Sequence, residues 1–184
     1  ELMSSSKILK LIKEKEVEYV DLRFTDPRGK LQHLTMDGKI VDEKMLNEGV
    51  FFDGSSIAGW KAINESDMIL KPDLERQIID PFTSHNTLIL FCDVLDAVKK
   101  DPYERDPRSI AKKAEAYLKK SGIGDKAYFG PEAEFFVFDD VKYKNEMNET
   151  SFKIDSAEGP YNTGKDYENG NMGHRPGIKG GYFP

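Results

Sequence analysis

Short apolar runs of helical and strand period fill the N-terminal half of the chain. Ile8, Leu11 and Ile12 recur at helical spacing directly after the serines at positions 4–6, which predicts a short helix with a capped start. Residues 17–24 alternate between apolar and polar side chains and predict a strand, with the register near Val20 left open.

A turn and a second alternating run place this strand in a hairpin. The turn sequence at residues 26–29 (Asp-Pro-Arg-Gly) is followed by residues 31–36, which return as a strand. Further short strands are predicted at residues 68–71, 77–79 and 87–94, and residues 102–107 form a candidate linker. These elements indicate a small mixed α+β domain.

The best-marked helix follows the candidate linker. Asp106 is placed to cap its start, Pro107 suits its first turn, and Gly122 suits its end. A stripe at helical spacing is predicted to be buried and consists of Ile110, Ala111, Ala114, Tyr117 and Leu118.

Two carboxylates then interrupt a strongly apolar segment. Residues 128–138 read Tyr-Phe-Gly-Pro-Glu-Ala-Glu-Phe-Phe-Val-Phe and predict a strand, on which Glu132 and Glu134 would share a face about 6–7 Å apart. Two anions on an apolar strand are costly to bury without neutralising cations, and this spacing suits two hard divalent cations side by side. The alternative is that both carboxylates line the wet face of an edge strand, since charged residues are mostly exposed.

A loop in the N-terminal half carries a third carboxylate of interest. Residues 51–60 read Phe-Phe-Asp-Gly-Ser-Ser-Ile-Ala-Gly-Trp, and an ordinary turn is one interpretation of this sequence. The large apolar side chains on both sides of the turn are predicted to hold its tip rigid. Asp53 at such a tip is well placed to act as a base or as a cation-binding carboxylate.

The remaining residues are polar and rich in glycine. Residues 139–173 predict long loops with a hairpin at 150–155, and residues 174–184 read His-Arg-Pro-Gly-Ile-Lys-Gly-Gly-Tyr-Phe-Pro. In the second segment, glycines let the backbone approach an anion, and Arg175 and Lys179 supply positive charge. Without the Walker spacing this is a weak indication of phosphate binding, and His174 is either a metal ligand or a plain polar contact.

Composition excludes several classes of function. The net charge is −6, with 27 basic and 33 acidic residues interspersed, so no basic stripe indicates a nucleic-acid partner. No apolar run reaches membrane-spanning length. The only cysteine, Cys92, lies in an apolar run and is predicted to be a core residue. A single thiol gives no disulfide framework, which is consistent with the cytoplasm.

Taken together, these motifs resemble the glutamine synthetases, in particular the bacterial class I enzymes. The resemblance rests on residues 53–57 (Asp-Gly-Ser-Ser-Ile), 106–108 (Asp-Pro-Arg), 130–136 (Gly-Pro-Glu-Ala-Glu-Phe-Phe) and 179–184 (Lys-Gly-Gly-Tyr-Phe-Pro), in family order. Ala133 departs from the family, whose members often have proline there. The resemblance implies an N-terminal β-grasp domain, residues 1–103, and the beginning of an α+β catalytic domain, residues 104–184, in what we expect to be part of a longer protein.

The resemblance also implies a reaction and its site. Glutamine synthetases transfer a phosphoryl group from ATP to the γ-carboxylate of glutamate, and ammonia then attacks the acyl phosphate. By the motif match, Glu132 and Glu134 would each bind one of two Mg²⁺ or Mn²⁺ ions, whose shells this chain supplies only in part. Asp53 would reach into a neighbouring subunit's site to bind ammonium and remove its proton, with Ser56 nearby, and Tyr182 would lie near ATP. The family assembles as a dodecamer of two stacked six-membered rings.

Two other functions remain open from the sequence. The parent protein could join glutamate to an amine other than ammonia, or the chain could be a non-catalytic β-grasp interaction module. The enzymatic interpretation depends on Glu132 and Glu134 being held out of water and directed at one cation pocket. Because two carboxylates cannot complete two cation shells, we expect the 184-residue polypeptide alone to be inactive.

Overall fold

The computed structural model of the chain describes residues 4–60, 66–157, 159, 161–165 and 167–168. The chain forms two compact units, residues 1–127 and 128–184. The first unit contains a mixed five-stranded sheet, and the second contains a two-stranded sheet. This is the α+β class that the sequence predicts.

The five-stranded sheet has the strand order β2-β1-β5-β4-β3. Central strands β1 and β5 run parallel, and every other neighbouring pair is antiparallel. Its strands are β1 (Tyr19–Thr25), β2 (Leu31–Asp37), β3 (Val50–Asp53), β4 (Asp67–Ile79) and β5 (Thr87–Asp96). The predicted hairpin is confirmed, since β1 and β2 pair in register across the turn at residues 26–29.

The core lies on one face of this sheet. Helix α1 (Ser5–Glu14) is confirmed as an amphipathic helix, and its Ile8 is fully buried. The predicted side-chain cap is wrong, because Ser4 at the N-cap position makes no capping hydrogen bond. The structure settles the register that the sequence left open, because Val20, Leu22 and Phe24 face the core while Tyr19 is 39% exposed. Cys92 of β5 is confirmed as a fully buried core residue.

Three elements of this unit differ from the sequence prediction. The two short strands predicted at residues 68–71 and 77–79 are one strand, β4, whose register shifts between Pro72 and Gln77. Residues 73–76 are unpaired at this shift, and they interrupt the apolar alternation, so the sequence pattern there resembles two strands. Strand β3 and the short helix α2 (Glu43–Glu48) were not predicted, because they are too brief to show a period.

Helix α3 (Pro107–Ser121) is confirmed at both ends. Asp106 caps its start by accepting a hydrogen bond from the Arg108 backbone N–H, and Gly122 adopts a left-handed conformation at its end. The predicted buried stripe is wrong: Ile110 is 54% exposed and Tyr117 is 73% exposed. Helical spacing identifies an apolar face but not what covers it, and the only residue of α3 that is buried in the structure is Ser109.

In the second unit a hairpin is present as predicted, but it spans residues 140–155, and residues 150–155 lie within its second strand. The prediction of a long loop is wrong for residues 140–146. Strands β6 (Asp140–Glu146) and β7 (Glu149–Asp155) pair antiparallel in register from Asp140 opposite Asp155 to Glu146 opposite Glu149. In the part of the chain that the structure describes, no helix is long and apolar enough to cross a membrane.

The face of the sheet opposite the core carries ionic networks. The Asp21 carboxylate, buried on β1, accepts hydrogen bonds from Arg23 Nε, His33 Nδ1 and Thr35 Oγ1, each at 2.7 Å. Burial by itself raises the pKa of Asp21, but these three hydrogen bonds outweigh it and hold the pKa below the usual 3.8. The charged form of Asp21 therefore stabilises the fold.

This network predicts a pH dependence of stability. A carboxyl whose pKa is lowered on folding contributes stability that is present above its unfolded pKa and is lost as pH falls through the folded value. We expect Asp21→Asn to lower the free energy of unfolding at pH 7 by about 1–2 kcal/mol, and the difference to shrink below about pH 4. Urea unfolding between pH 3 and 7 measures this, with exposed Asp125→Asn as the control; a difference that stays constant down to pH 3 would contradict it.

Candidate functional site

Asp53 lies at the end of β3, where its backbone is fixed. It pairs with Asp67 of β4, and the next N–H, that of Gly54, donates to the Ser66 carbonyl oxygen at 2.7 Å. A Cβ at Gly54 would lie 2.2 Å from Met68 Sδ, so no larger residue fits without displacement. The sheet therefore determines where the Asp53 side chain begins.

The Asp53 carboxylate is exposed and held by the turn that follows it. Its Oδ1 accepts hydrogen bonds from the Ser55 hydroxyl at 2.6 Å and from the Ser55 backbone N–H at 2.9 Å, in a short 3₁₀ helix (Gly54–Ser56). These bonds, the hydroxyl first, hold the pKa of Asp53 below its usual range. Asp53 is thus an anion at neutral pH that can attract a cation, and Ser56 is exposed one turn away.

The predicted apolar anchors of this loop are partly confirmed. Trp60 is 7% exposed. The distance from its ring centroid is 6.3 Å to that of Phe52, 5.8 Å to that of Phe24 and 5.6 Å to that of Tyr103. Phe51 is 62% exposed and is not an anchor, because alternation along β3 directs it away from the core. The contacts of Phe24 and Tyr103 with Trp60 were not predicted, because these residues come from distant parts of the chain.

Glu132 and Glu134 lie in the second unit, outside any strand. Both are exposed, and none of the described residues 128–138 belongs to a β-strand. The prediction of a buried strand is therefore wrong for this chain. An apolar extended segment becomes a strand only when a neighbour accepts its backbone hydrogen bonds, and none of the strands described here is paired with it.

The donor set of this segment suits a divalent cation but is incomplete. Carboxylate oxygens are the ligands that Mg²⁺ and Mn²⁺ prefer. Among the residues that the structure describes, however, no group of three or more histidine, cysteine, aspartate or glutamate side chains could hold a metal ion. Glu132 and Glu134 therefore do not complete a cation site with the other residues that the structure describes.

Several predicted site residues lie outside the described residues. They are His174, Arg175, Lys179 and Tyr182, and the glycines that separate them.

The mixed five-stranded sheet of the first unit is β-grasp-like, and family models give the same class. Residues 16–97 match the model described as the glutamine synthetase β-grasp domain, and residues 104–184 match the glutamine synthetase catalytic domain. The chain belongs to the glutamine synthetase family.

Bacterial proteins named glutamine synthetase are similar to the chain in sequence. The chain is 63% identical over 183 residues to the glutamine synthetase of Rhizobium meliloti, a match covering 100% of this chain and 39% of that protein. It is 62% identical over 179 residues to that of Azospirillum brasilense, covering 97% of this chain and 38% of that protein. The chain thus spans well under half the length of the curated relatives it matches.

A solved structure of the family has the same fold. The cryo-EM structure of Plasmodium falciparum glutamine synthetase matches with a TM-score of 0.65 and 26% sequence identity. The match covers 86% of this chain and 30% of that one.

Proposed function

We propose that the whole protein is a ligase that joins ammonia to glutamate, with ATP hydrolysis, and forms glutamine through γ-glutamyl phosphate. The observation that carries this proposal is the 63% identity to a glutamine synthetase over the whole of this chain. Both domain types of that family are represented in it. The proposal concerns the whole protein because the matched part is 39% of the relative's length.

We assign to Asp53 the binding of ammonium in this reaction. Its carboxylate is exposed, anionic at neutral pH and fixed at the end of β3, so it can attract a small cation from solution. A low pKa makes a carboxylate a weak base, so removal of the proton requires a less polar environment than this chain provides. A neighbouring subunit that covers the loop would supply that environment. Ser56 would lie near Asp53 in the covered site.

We assign Glu132 and Glu134 as two of the ligands of a pair of Mg²⁺ or Mn²⁺ ions, since the family generally depends on ATP and divalent metals. Such ions neutralise the charge of ATP and glutamate when they meet. The remaining ligands would come from outside the described residues. Tyr182 is assigned to the ATP pocket on the family motif alone.

The protein's organisation follows the same family. We propose assembly into a dodecamer of two six-membered rings, in the cytoplasm, with no nucleic-acid or membrane partner. We also propose a domain boundary between residues 103 and 104; the gap between the two matched ranges, 16–97 and 104–184, supports it.

A product assay on the full-length protein tests this function. With glutamate, ammonium, ATP and Mg²⁺ or Mn²⁺, we expect one glutamine formed for each phosphate released. Replacing ammonium with methylamine tests the related amine ligase, and turnover with methylamine but not with ammonium would overturn the assignment. Absence of turnover with either amine would favour the non-catalytic module. The 184-residue chain alone is expected to release no phosphate above background.

The metal assignment predicts weaker cation binding when one carboxylate is neutralised. We expect Glu132→Gln in the full-length protein to weaken Mn²⁺ binding about tenfold or more, because a hard cation loses an anionic oxygen ligand. Electron paramagnetic resonance of free Mn²⁺ measures binding independently of activity. Exposed Glu75→Gln serves as the control, and equal Mn²⁺ affinity of the two variants would remove Glu132 from the metal site.

A further inference from the structure

The Asp53 loop, residues 53–60, is fixed at two separate places. At its start, β3 pairing and the hydrogen bond from Gly54 N–H to the Ser66 carbonyl tie it to β4. Two backbone hydrogen bonds close the turns within the loop: Ile57 N–H donates to the Gly54 carbonyl oxygen, and Trp60 N–H donates to the Ile57 carbonyl oxygen. The orientation of the loop therefore depends also on what holds its far end.

The far end is held by the segment that leads into α3. Arg105 Nη1 donates a hydrogen bond of 2.9 Å to the carbonyl oxygen of Gly59, 46 residues away in the chain. The Tyr103 ring contacts the Trp60 indole edge-on, with ring centroids 5.6 Å apart and planes at 74°. Gly59 has φ +89°, a backbone conformation that residues with a side chain rarely adopt, so glycine suits the turn that directs this carbonyl toward Arg105.

This junction segment, residues 102–106, is itself firmly attached. Tyr103 N–H donates to the Val94 carbonyl of β5 at 2.8 Å. The fully buried Asp106 carboxylate accepts hydrogen bonds from the Val94 N–H at 3.2 Å and from the Ser109 hydroxyl at 2.9 Å. The contacts of Arg105 and Tyr103 thus connect the Asp53 loop to β5 and to the start of α3.

We propose that Arg105 and Tyr103 are positioning residues, through which the junction segment fixes the orientation of the far part of the Asp53 loop, beyond the carboxylate that the sheet already places. An effect of these residues on ammonium use rests on the proposed function. Their contacts with Gly59 and Trp60 do not depend on it. An Arg105 that only stabilised the fold would affect all substrates alike. A positioning residue affects the substrate that the loop binds, which by our assignment is ammonium.

The contact can be tested on the 184-residue chain, whose only tryptophan is Trp60. We expect Arg105→Ala to increase acrylamide quenching of Trp60 fluorescence, because losing one hydrogen bond makes opening of the loop end about two- to tenfold more frequent. Arg105→Lys, which keeps a donor, is expected to lie between Arg105→Ala and the unaltered chain. Arg76→Ala, which removes an exposed arginine on β4, is the matched control and should leave quenching unchanged.

The consequence for the reaction is tested on the full-length protein. We expect Arg105→Ala to raise KM for ammonium about two- to tenfold, with KM for ATP and for glutamate unchanged. Unchanged Trp60 quenching would overturn the proposed contact. Increased quenching with an unchanged KM for ammonium, or with equal changes in all three KM values, would overturn the positioning role. If the unaltered full-length protein forms no glutamine, the proposed function fails, whereas the quenching result still decides the contact.

Discussion

Asp53→Asn in the full-length protein is expected to lower kcat/KM for ammonium by about a hundredfold or more, the range typical of losing a group that binds the reacting species and accepts its proton. Asparagine keeps the oxygen that accepts the Ser55 hydrogen bonds, so the 3₁₀ helix remains capped. What disappears is the negative charge. Initial rates at varied ammonium, with ATP and glutamate saturating, measure the loss.

The chain contains a closely matched control. Asp37-Gly38 repeats the local arrangement of Asp53-Gly54: an exposed aspartate caps a short 3₁₀ helix, Gly38–Ile40, by accepting from the Lys39 N–H at 2.8 Å, and the glycine is buried. Asp37→Asn should therefore leave kcat/KM within about twofold. Equal activity of the two variants would show that the Asp53 charge has no role in the reaction.

Asp106→Ala is expected to destabilise the first unit by about 3 kcal/mol, combining loss of a helix cap with an unsatisfied buried N–H. The carboxylate serves the Arg108 N–H and the Ser109 hydroxyl within α3, and also the Val94 N–H of β5. Alanine leaves the buried Val94 N–H without this acceptor. Urea unfolding followed by Trp60 fluorescence measures the change.

An exposed helix cap provides the comparison. Asp42 caps α2 by accepting a single hydrogen bond from the Met45 N–H at 2.7 Å, and Asp42→Ala should cost about 1 kcal/mol. If the two alanine variants lost equal stability, the bond from Asp106 to β5 would contribute nothing beyond ordinary capping.

The elements with a clear period or end signal could be predicted from the sequence. The hairpin of β1 and β2 has an unambiguous turn, and α3 has a cap, a first-turn proline and a terminal glycine. Short elements such as α2 and β3 could not, because six and four residues do not establish a period. The register shift in β4 has a related effect, since it interrupts an apolar period that is otherwise present, and the sequence therefore predicts two strands there.

The candidate site divides in the same way. The Asp-Gly-Ser-Ser turn and the pair Glu132 and Glu134 stand out by residue type, and they lead to the family that the comparisons establish. Their environments did not follow from residue type: the two glutamates are exposed, and Asp53 has a lowered pKa. The family membership therefore rests on the comparisons and not on the geometry of the glutamates.

By itself, the sequence determined the local features, namely turns, helix ends, the hairpin and the acidic motifs, because each depends on residues a few positions apart. Only the tertiary structure decided which faces are covered, that Asp106 reaches β5, and that Arg105 holds Gly59 across 46 residues. Such contacts depend on how distant segments pack, and no local pattern of residues encodes which distant backbone group a side chain will meet.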